Sequence, residues 1–200
     1  GRTEDNPYLP KSYIESLKEN YDENLLKAYL EGQFVNLQKG TTYNGFSRKR
    51  NLQECKYNPN LPIHIGIDFN VQPMACCIIQ EQAHSPHIQV IDEILLTQDG
   101  SGDLLTERMT NTIKQMYPNR SYNAYPDATG AARHSSSRYS DIQIIQKANF
   151  LIHVRHINPL VINRVNSMNN NLSKGNIVID PKCKNLIRDL EQVVLKEGTR

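Results

Sequence analysis

The stretch Ile63-His-Ile-Gly-Ile-Asp-Phe69 decides the fold. Successive side chains of a strand alternate, so Ile63, Ile65, Ile67 and Phe69 take one face and His64, Gly66 and Asp68 the other. The acid shares its face with a residue that has no side chain to crowd it. Asn70 and Pro73 then break the pattern, which puts Asp68 at a strand end. A second run, Tyr122-Asn-Ala-Tyr-Pro-Asp127, repeats the arrangement, and the small residues of Ala128-Thr-Gly130 let backbone or ligand come close. If the two strands are parallel neighbours, Asp68 and Asp127 meet.

Two converging carboxylates suit a hard divalent cation, because Mg²⁺ and Mn²⁺ take oxygen ligands and keep several waters and a substrate phosphate. Singly, each Asp is explained by an Asx-type turn closing its strand. Together, on two strands of one sheet, they read as a metal site acting on phosphodiesters.

The strand order around them is informative. Outward from 63–69, the sequence predicts strands 74–81 and 87–96, helix 103–117, strand 121–126, helix 139–149, strand 150–155, helix 158–172, strand 176–179 and helix 182–197. Ala83-His-Ser-Pro86 joins the second and third strands as a hairpin, and the later strands alternate with helices and should run parallel. A three-stranded meander followed by alternating helices and strands is the order of the ribonuclease H-like α/β fold, a mixed sheet flanked by helices. In that fold the first and fourth strands are neighbours, and here they carry Asp68 and Asp127.

Residues 1–62 read differently from 63–200. Ser12-Tyr-Ile-Glu15 is a capping-box pattern opening a helical arm with apolar positions at Ile14, Leu17, Tyr21, Leu25 and Ala28, and Gly32 is a plausible stop. Residues 33–62, with Gly, Asn, Pro and the cluster Arg48-Lys-Arg50, look like a tether laid along the surface, so the folded domain is expected to start near Pro62.

At 200 residues and 38% hydrophobic, the chain can bury about 70% of its unfolded surface without staples. Its four cysteines, two adjacent in a strand and two isolated, read as reduced thiols of a cytoplasmic protein rather than a disulfide framework. Nothing approaches a membrane span or signal peptide. The net charge of +2 gives little non-specific attraction to DNA, so contacts must come from local patches.

Further acids have ordinary explanations. Asp180 before Pro181 caps a helix, Asp189 sits on a solvated helical face, and Asp141 lies in an opening turn. Asp92 and Glu93 face opposite sides of the third strand, and Glu93 is placed for a water-bridged metal contact; Glu93 and Asp180 are the extra ligand candidates. His84 with His87, and His153 with His156, have near-ligand spacing for zinc. In a strand, positions three apart point to opposite faces, which rules out one ion for the second pair, and no cysteine pair lies in frame. Arg133 and Arg138 flank Ser135-Ser-Ser137 just after the second acid, where cations and hydroxyls could hold a backbone phosphate; His134 and Lys174 are weaker contacts of the same kind. The absence of Trp and of basic-aromatic alternation gives no support to base readout.

The chain also resembles a family, the nuclease domain of the large terminase subunit of tailed bacteriophages, which cuts concatemeric double-stranded DNA during genome packaging. The resemblance rests on Gly66-Ile-Asp-Phe-Asn-Val-Gln-Pro-Met74 and on Tyr125-Pro-Asp-Ala-Thr-Gly130 with Arg133 and the serine run. Asn158-Pro159 with Arg164-Val-Asn166, and Asp180-Pro-Lys-Cys183 with Leu186, add to it. Asn6-Pro-Tyr-Leu-Pro10 and Tyr29-Leu-Glu-Gly32 resemble the segment joining motor ATPase to nuclease. It implies a metal-dependent endonuclease in which Asp68, as bridging ligand, and Asp127 hold two Mg²⁺ or Mn²⁺ ions. It also implies a host-cytoplasmic site of action and the motor ATPase, portal and small terminase subunit as partners. No G-x-x-x-x-G-K-[ST] pattern occurs, so the motor is expected to be absent, and no third acid of the family's type is seen before Arg200. The domain is therefore expected to lack its last element, with weak activity alone.

Two other readings compete. The missing third acid fits a catalytically silent docking module of the packaging motor. Ile65-Gly-Ile-Asp68 also resembles the first phosphate motif of actin-like phosphotransferases, although Phe69-Asn-Val71 stands where that motif wants Gly and a hydroxyl residue.

Overall fold

A computed structural model describes residues 41–69, 72–100, 102, 104–127, 139–154 and 159–194. The expected helical arm, Arg133, His134, Arg138 and His156 lie outside the described residues.

Alternating β-branched residues build β1 (Ile63–Asp68), and its neighbours follow as β2 (Met74–Glu81) and β3 (Ile88–Leu96), an antiparallel meander. β4 (Tyr122–Pro126) lies parallel to β1 on its other side, and β5 (Leu151–Ile152) parallel to β4. β6 (Ile177–Ile179) adds to the far edge, parallel to β3, giving the order β5-β4-β1-β2-β3-β6. This is the mixed sheet of the ribonuclease H-like fold, and the first and fourth strands are neighbours as expected. The helices are α1 (Arg48–Asn51), α2 (Leu105–Met116), α3 (Asp141–Lys147), α4 (Val161–Ser173) and α5 (Lys184–Gln192).

The sheet has a core on each face. On one, Ile63, Ile65, Ile67, Cys76 and Ile78 meet Leu105, Met109 and Ile113 of α2 and Ile145 of α3. Leu105, Met109 and Ile113 recur every four residues, the spacing that gives a helix one apolar stripe, and each fully buried side chain of this size contributes about 1.5–3 kcal/mol. α2 stops at Tyr117, before Pro118, which cannot extend it. α3 opens on a capping box: Ser140 Oγ accepts from Gln143 N at 3.3 Å, and Gln143 Oε1 accepts from Ser140 N at 3.0 Å.

On the other face, Val90, Ile177 and Ile179 pack with Leu172 of α4 and with Ile187 and Leu190 of α5. This second core covers the β3-β6 half. Over the β5-β4-β1 half of the same face stand His153, Tyr125, Asn123, His64, Gly66 and Asp68, with Tyr125 42% exposed.

A bulge in β3 separates the two regimes. Ile78 pairs with Asp92 but Ile79 pairs with Val90, so Ile91 is the extra residue. Ile91 is buried in the first core and Asp92 follows it onto the same side, where it accepts from the Tyr117 hydroxyl at 3.0 Å. The inserted residue shifts the alternation, and Glu93 lands on the Asp68 face.

Residues 41–62, read in the sequence as a surface tether, are stitched into the domain. Asn51 is fully buried, and its Nδ2 donates to the carbonyls of Leu172 and Ile177, each at 2.9 Å. Gln53 N donates to Ile179 O at 3.1 Å, and the Tyr57 ring lies 5.0 Å from that of Tyr117. Buried Gln80 receives Asn58 N and donates to Asn58 O, both at 2.8 Å. Packing therefore begins upstream of Pro62. Among the described residues no helix is long and apolar enough to cross a membrane.

Candidate metal centre

Asp68 closes β1, and Asp127 directly follows β4. The parallel register pairs Ile67 with Pro126. The acid is the next residue in each case, Asp68 as the last of β1 and Asp127 just past β4, so both lie where this pairing ends. Parallel pairing aims both strands' carboxyl ends at one edge of the sheet, where ligands of open α/β sheets are bound. Asp68 is exposed and Asp127 half-buried.

Gly66 sits two residues before Asp68 on the same face and pairs with Tyr125. A methyl group placed on it would meet nothing within 4 Å. The glycine thus leaves an open floor beside the acids. The Tyr125 phenol at its side has its pKa raised by burial first and by the nearby Glu81 second.

The other ligand candidates lie elsewhere. Glu93 is two strands away and one row down, opposite Cys77 in the register. Its Oε1 accepts from Asn185 N and Asn185 Nδ2, each at 2.9 Å, and its Oε2 accepts from Leu186 N at 2.8 Å. α5 has no side-chain cap of its own, and this carboxylate serves its orphan amides and its dipole. Asp180 is buried after β6, where Oδ2 accepts from Cys55 N at 2.9 Å and Oδ1 from Lys182 N at 3.0 Å. Both acids are occupied by backbone amides, and neither is brought to the Asp68–Asp127 edge. Asp92 is paired with Lys182 at 3.0 Å on the opposite face, and exposed Asp189 with Arg188 at 3.1 Å. Among the described residues, no group of three or more His, Cys, Asp or Glu is arranged to hold a metal.

Lys174 caps α4 at its C-terminus, just ahead of β6. β6 runs parallel to β3 and starts opposite Ile88, so Lys174 belongs to the end of the sheet away from Asp68. The structure does not bring it to the acids.

The cysteines are free thiols with no sign of nucleophilic activation. Burial, in each case the largest cause, pushes Cys55 and Cys77 up to about 11 and Cys76 and Cys183 up to about 12. Thiols held protonated are poor nucleophiles and poor metal ligands.

One constellation beside the acids escaped the sequence. His64, Tyr125 and His153 come from three adjacent strands and stack ring on ring. Testing histidine pairs within a single strand could not find it; aligning β1, β4 and β5 in parallel register would have.

Neither a family model nor a curated protein matches the chain. Solved structures do. The large terminase of a thermophilic bacteriophage superposes with a TM-score of 0.64 at 15% identity, over 96% of this chain and 47% of that one. The chain thus spans under half the length of that protein. The P22 large terminase nuclease domain gives 0.62 at 9% identity, covering 80% of this chain and 82% of the other. The large terminase nuclease of thermophilic phage G20c, solved with bound zinc, gives 0.52 at 11% identity over 78% and 89%. With its acid pair at the carboxyl edge of a ribonuclease H-like sheet, the chain has the fold of the nuclease domains of phage large terminases.

Proposed function

We propose that this chain is a metal-dependent endonuclease domain of a DNA-packaging terminase, hydrolysing phosphodiesters of double-stranded DNA. The observation that carries the reading is the register: Asp68 and Asp127 stand together at the edge where β1 and β4 end. The fold shared with the P22 and G20c nuclease domains supports it, as do the zinc and cobalt bound in the G20c structures.

The donor set fits a hard divalent cation. Two carboxylates offer up to four oxygens, and Gly66 leaves room for ion-bound water and a substrate phosphate. Mg²⁺ or Mn²⁺, two ions in the full arrangement, would supply an activated water and charge neutralisation at the leaving oxygen. Asp68, on the more exposed side, is assigned as the shared ligand and Asp127 as the second. The protein's part is to fix these two groups on rigid strands, so that little reorganisation accompanies reaction. Glu93 and Asp180 are assigned to holding α5 and the 53–55 segment, not to the ions. Arg133 and Arg138 remain proposed backbone-phosphate contacts. Partners follow from the same reading: double-stranded DNA, the packaging ATPase, the portal and the small terminase subunit.

The test is plasmid cleavage in Mn²⁺ by Asp68→Asn and Asp127→Asn, with thermal melts on the same samples. Both variants should unfold cooperatively and lose cleavage; full cleavage by either would overturn the assignment. Direct Mn²⁺ titration by calorimetry gives a readout independent of turnover, and each variant should bind the ion more weakly.

A further inference from the structure

The open half of the sheet face carries more than the acid pair. Tyr125 stacks on His153 with ring centroids 4.8 Å apart and planes 14° apart. It meets His64 at 5.8 Å and 29°. The order β5-β4-β1 sets the two imidazoles on opposite sides of the phenol ring. Polar atoms lock the stack: His64 Nδ1 lies 3.0 Å from the Tyr125 hydroxyl, and His153 Nε2 lies 2.9 Å from Asn123 Oδ1. With the amide oxygen accepting, Nε2 of His153 is the donor.

These rings are not core. Tyr125 is 42% exposed, His153 is exposed, and neither apolar cluster includes them. Tyr125 is one row from the acids and His64 two, since Tyr125 pairs with Gly66 and Asp127 and Asp68 follow two residues on, about 7 Å along the strands. Gly66 keeps that interval clear. A trough with a ring wall therefore runs up to the acid pair.

The stack also selects its ligand. His153 covers one face of Tyr125, and His64, with Nδ1 3.0 Å from the hydroxyl, holds its polar edge. Of the His64–Tyr125 pair, one N–H or O–H is shared between the two and one further donor is left over, which suits a phosphate oxygen. We propose that His64 and the Tyr125 hydroxyl, with the phenol ring held by His153, form a phosphate track, contacting the backbone of the DNA strand whose scissile phosphate lies at Asp68 and Asp127. The track rests on the nuclease reading and gives that site its strand path. Asp68, Asp127 and, from β2, Glu81 face the same rows. Such a track adds ring and hydroxyl hydrogen bonds in place of the fixed charges of arginine or lysine.

The experiment measures binding of a fluorescent duplex by anisotropy in Ca²⁺ across a salt series, for the wild type, His64→Ala/His153→Ala and Tyr125→Phe. The double variant should weaken binding about ten-fold, the worth of one or two hydrogen bonds. The loss should be alike for unrelated sequences, with the log-log salt slope unchanged. In Mn²⁺ cleavage the loss should sit in KM. Tyr125→Phe removes the hydroxyl and its His64 contact while keeping the ring on His153, and should lose less, in the same direction. Lys174→Ala, at the other end of the sheet, serves as the control. Wild-type affinity in both ring variants would overturn the track, as would a loss confined to one sequence. Cleavage by Asp68→Asn decides the nuclease reading separately: a dead Asp68→Asn with fully binding ring variants removes the track and leaves the nuclease.

Discussion

The Glu93 carboxylate accepts the backbone N–H of Leu186 at 2.8 Å, joining β3 to the first turn of α5 across 93 residues of sequence. Three donors converge on this one side chain. A carboxylate at a helix N-terminus gains both the hydrogen bonds and the dipole. Glu93→Ala should lower unfolding stability by about 1–3 kcal/mol, because buried amides lose their acceptor. Mn²⁺ affinity should stay at the wild-type value, read by calorimetry below the melting range. A drop in ion affinity with unchanged stability would return Glu93 to the ligand set.

Gly66 separates stability from access. A methyl group there meets open space, so Gly66→Ala should hold or raise stability by up to about 1 kcal/mol through loss of unfolded-chain freedom. Gly66→Leu should fold as well but fill the floor beside Asp68 and cut DNA cleavage several-fold. Melting and cleavage measured on the same preparations check both; undiminished cleavage by the leucine variant would show that substrate does not pass over this position.

Asn51 tests the upstream segment. Asn51→Leu keeps the branched outline but leaves the Ile177 carbonyl without its side-chain donor, while Leu172 O keeps the Gly175 N–H at 3.0 Å. The expected cost is about 1–3 kcal/mol in urea unfolding, since a buried group left unpaired carries its desolvation penalty. A near-neutral result would mean that residues 41–62 add little to the folded domain.

Stability should fall in alkali. Burial holds Cys55 and Cys77 up to about 11 and Cys76 and Cys183 up to about 12 in the folded chain. Unfolded thiols lose their protons near about 8.5, so above that pH the unfolded state binds fewer protons and gains relative to the fold. The contribution is fully present below about pH 8.5 and is lost as pH rises toward 11–12. Urea midpoints at pH 8, 9 and 10 should decrease in order, and Cys76→Ala should flatten the decline. A midpoint constant over that range would contradict the burial of these thiols.

Much of the architecture was legible because it is written in period-two apolar alternation. Ile63 to Ile67 and Met74 to Ile78 could only be strands with one buried face, and alternation delivered Asp68 and Asp127 to the same edge. The rest was hidden for physical reasons. Residues 41–62 dock through the amide side chain of Asn51, the main chain of Gln53 and Cys55, and the scattered apolar side chains of Tyr43, Phe46, Leu52 and Cys55, which form no sustained strand or helix period. Glu93 and Asp180 carry the same functional group as a metal ligand, and only their partners, backbone amides, tell the difference. The β3 bulge depends on how Ile79 and Val90 align across strands. The ring stack needs three strands in register before any two of its members are neighbours.

The pairing of β1 with β4 has a kinetic meaning as well. Parallel neighbours cannot form by a tight turn; β2, β3 and α2 must be threaded between them before Ile67 and Pro126 lie side by side. Such non-local closure comes late in folding, because the entropy of the long loop is lost before the contact rewards it. The acid pair is thus assembled by one of the slowest contacts in the sheet. On the nuclease reading proposed above, a chain that has not yet closed β1 on β4 carries both aspartates without having brought them to one edge.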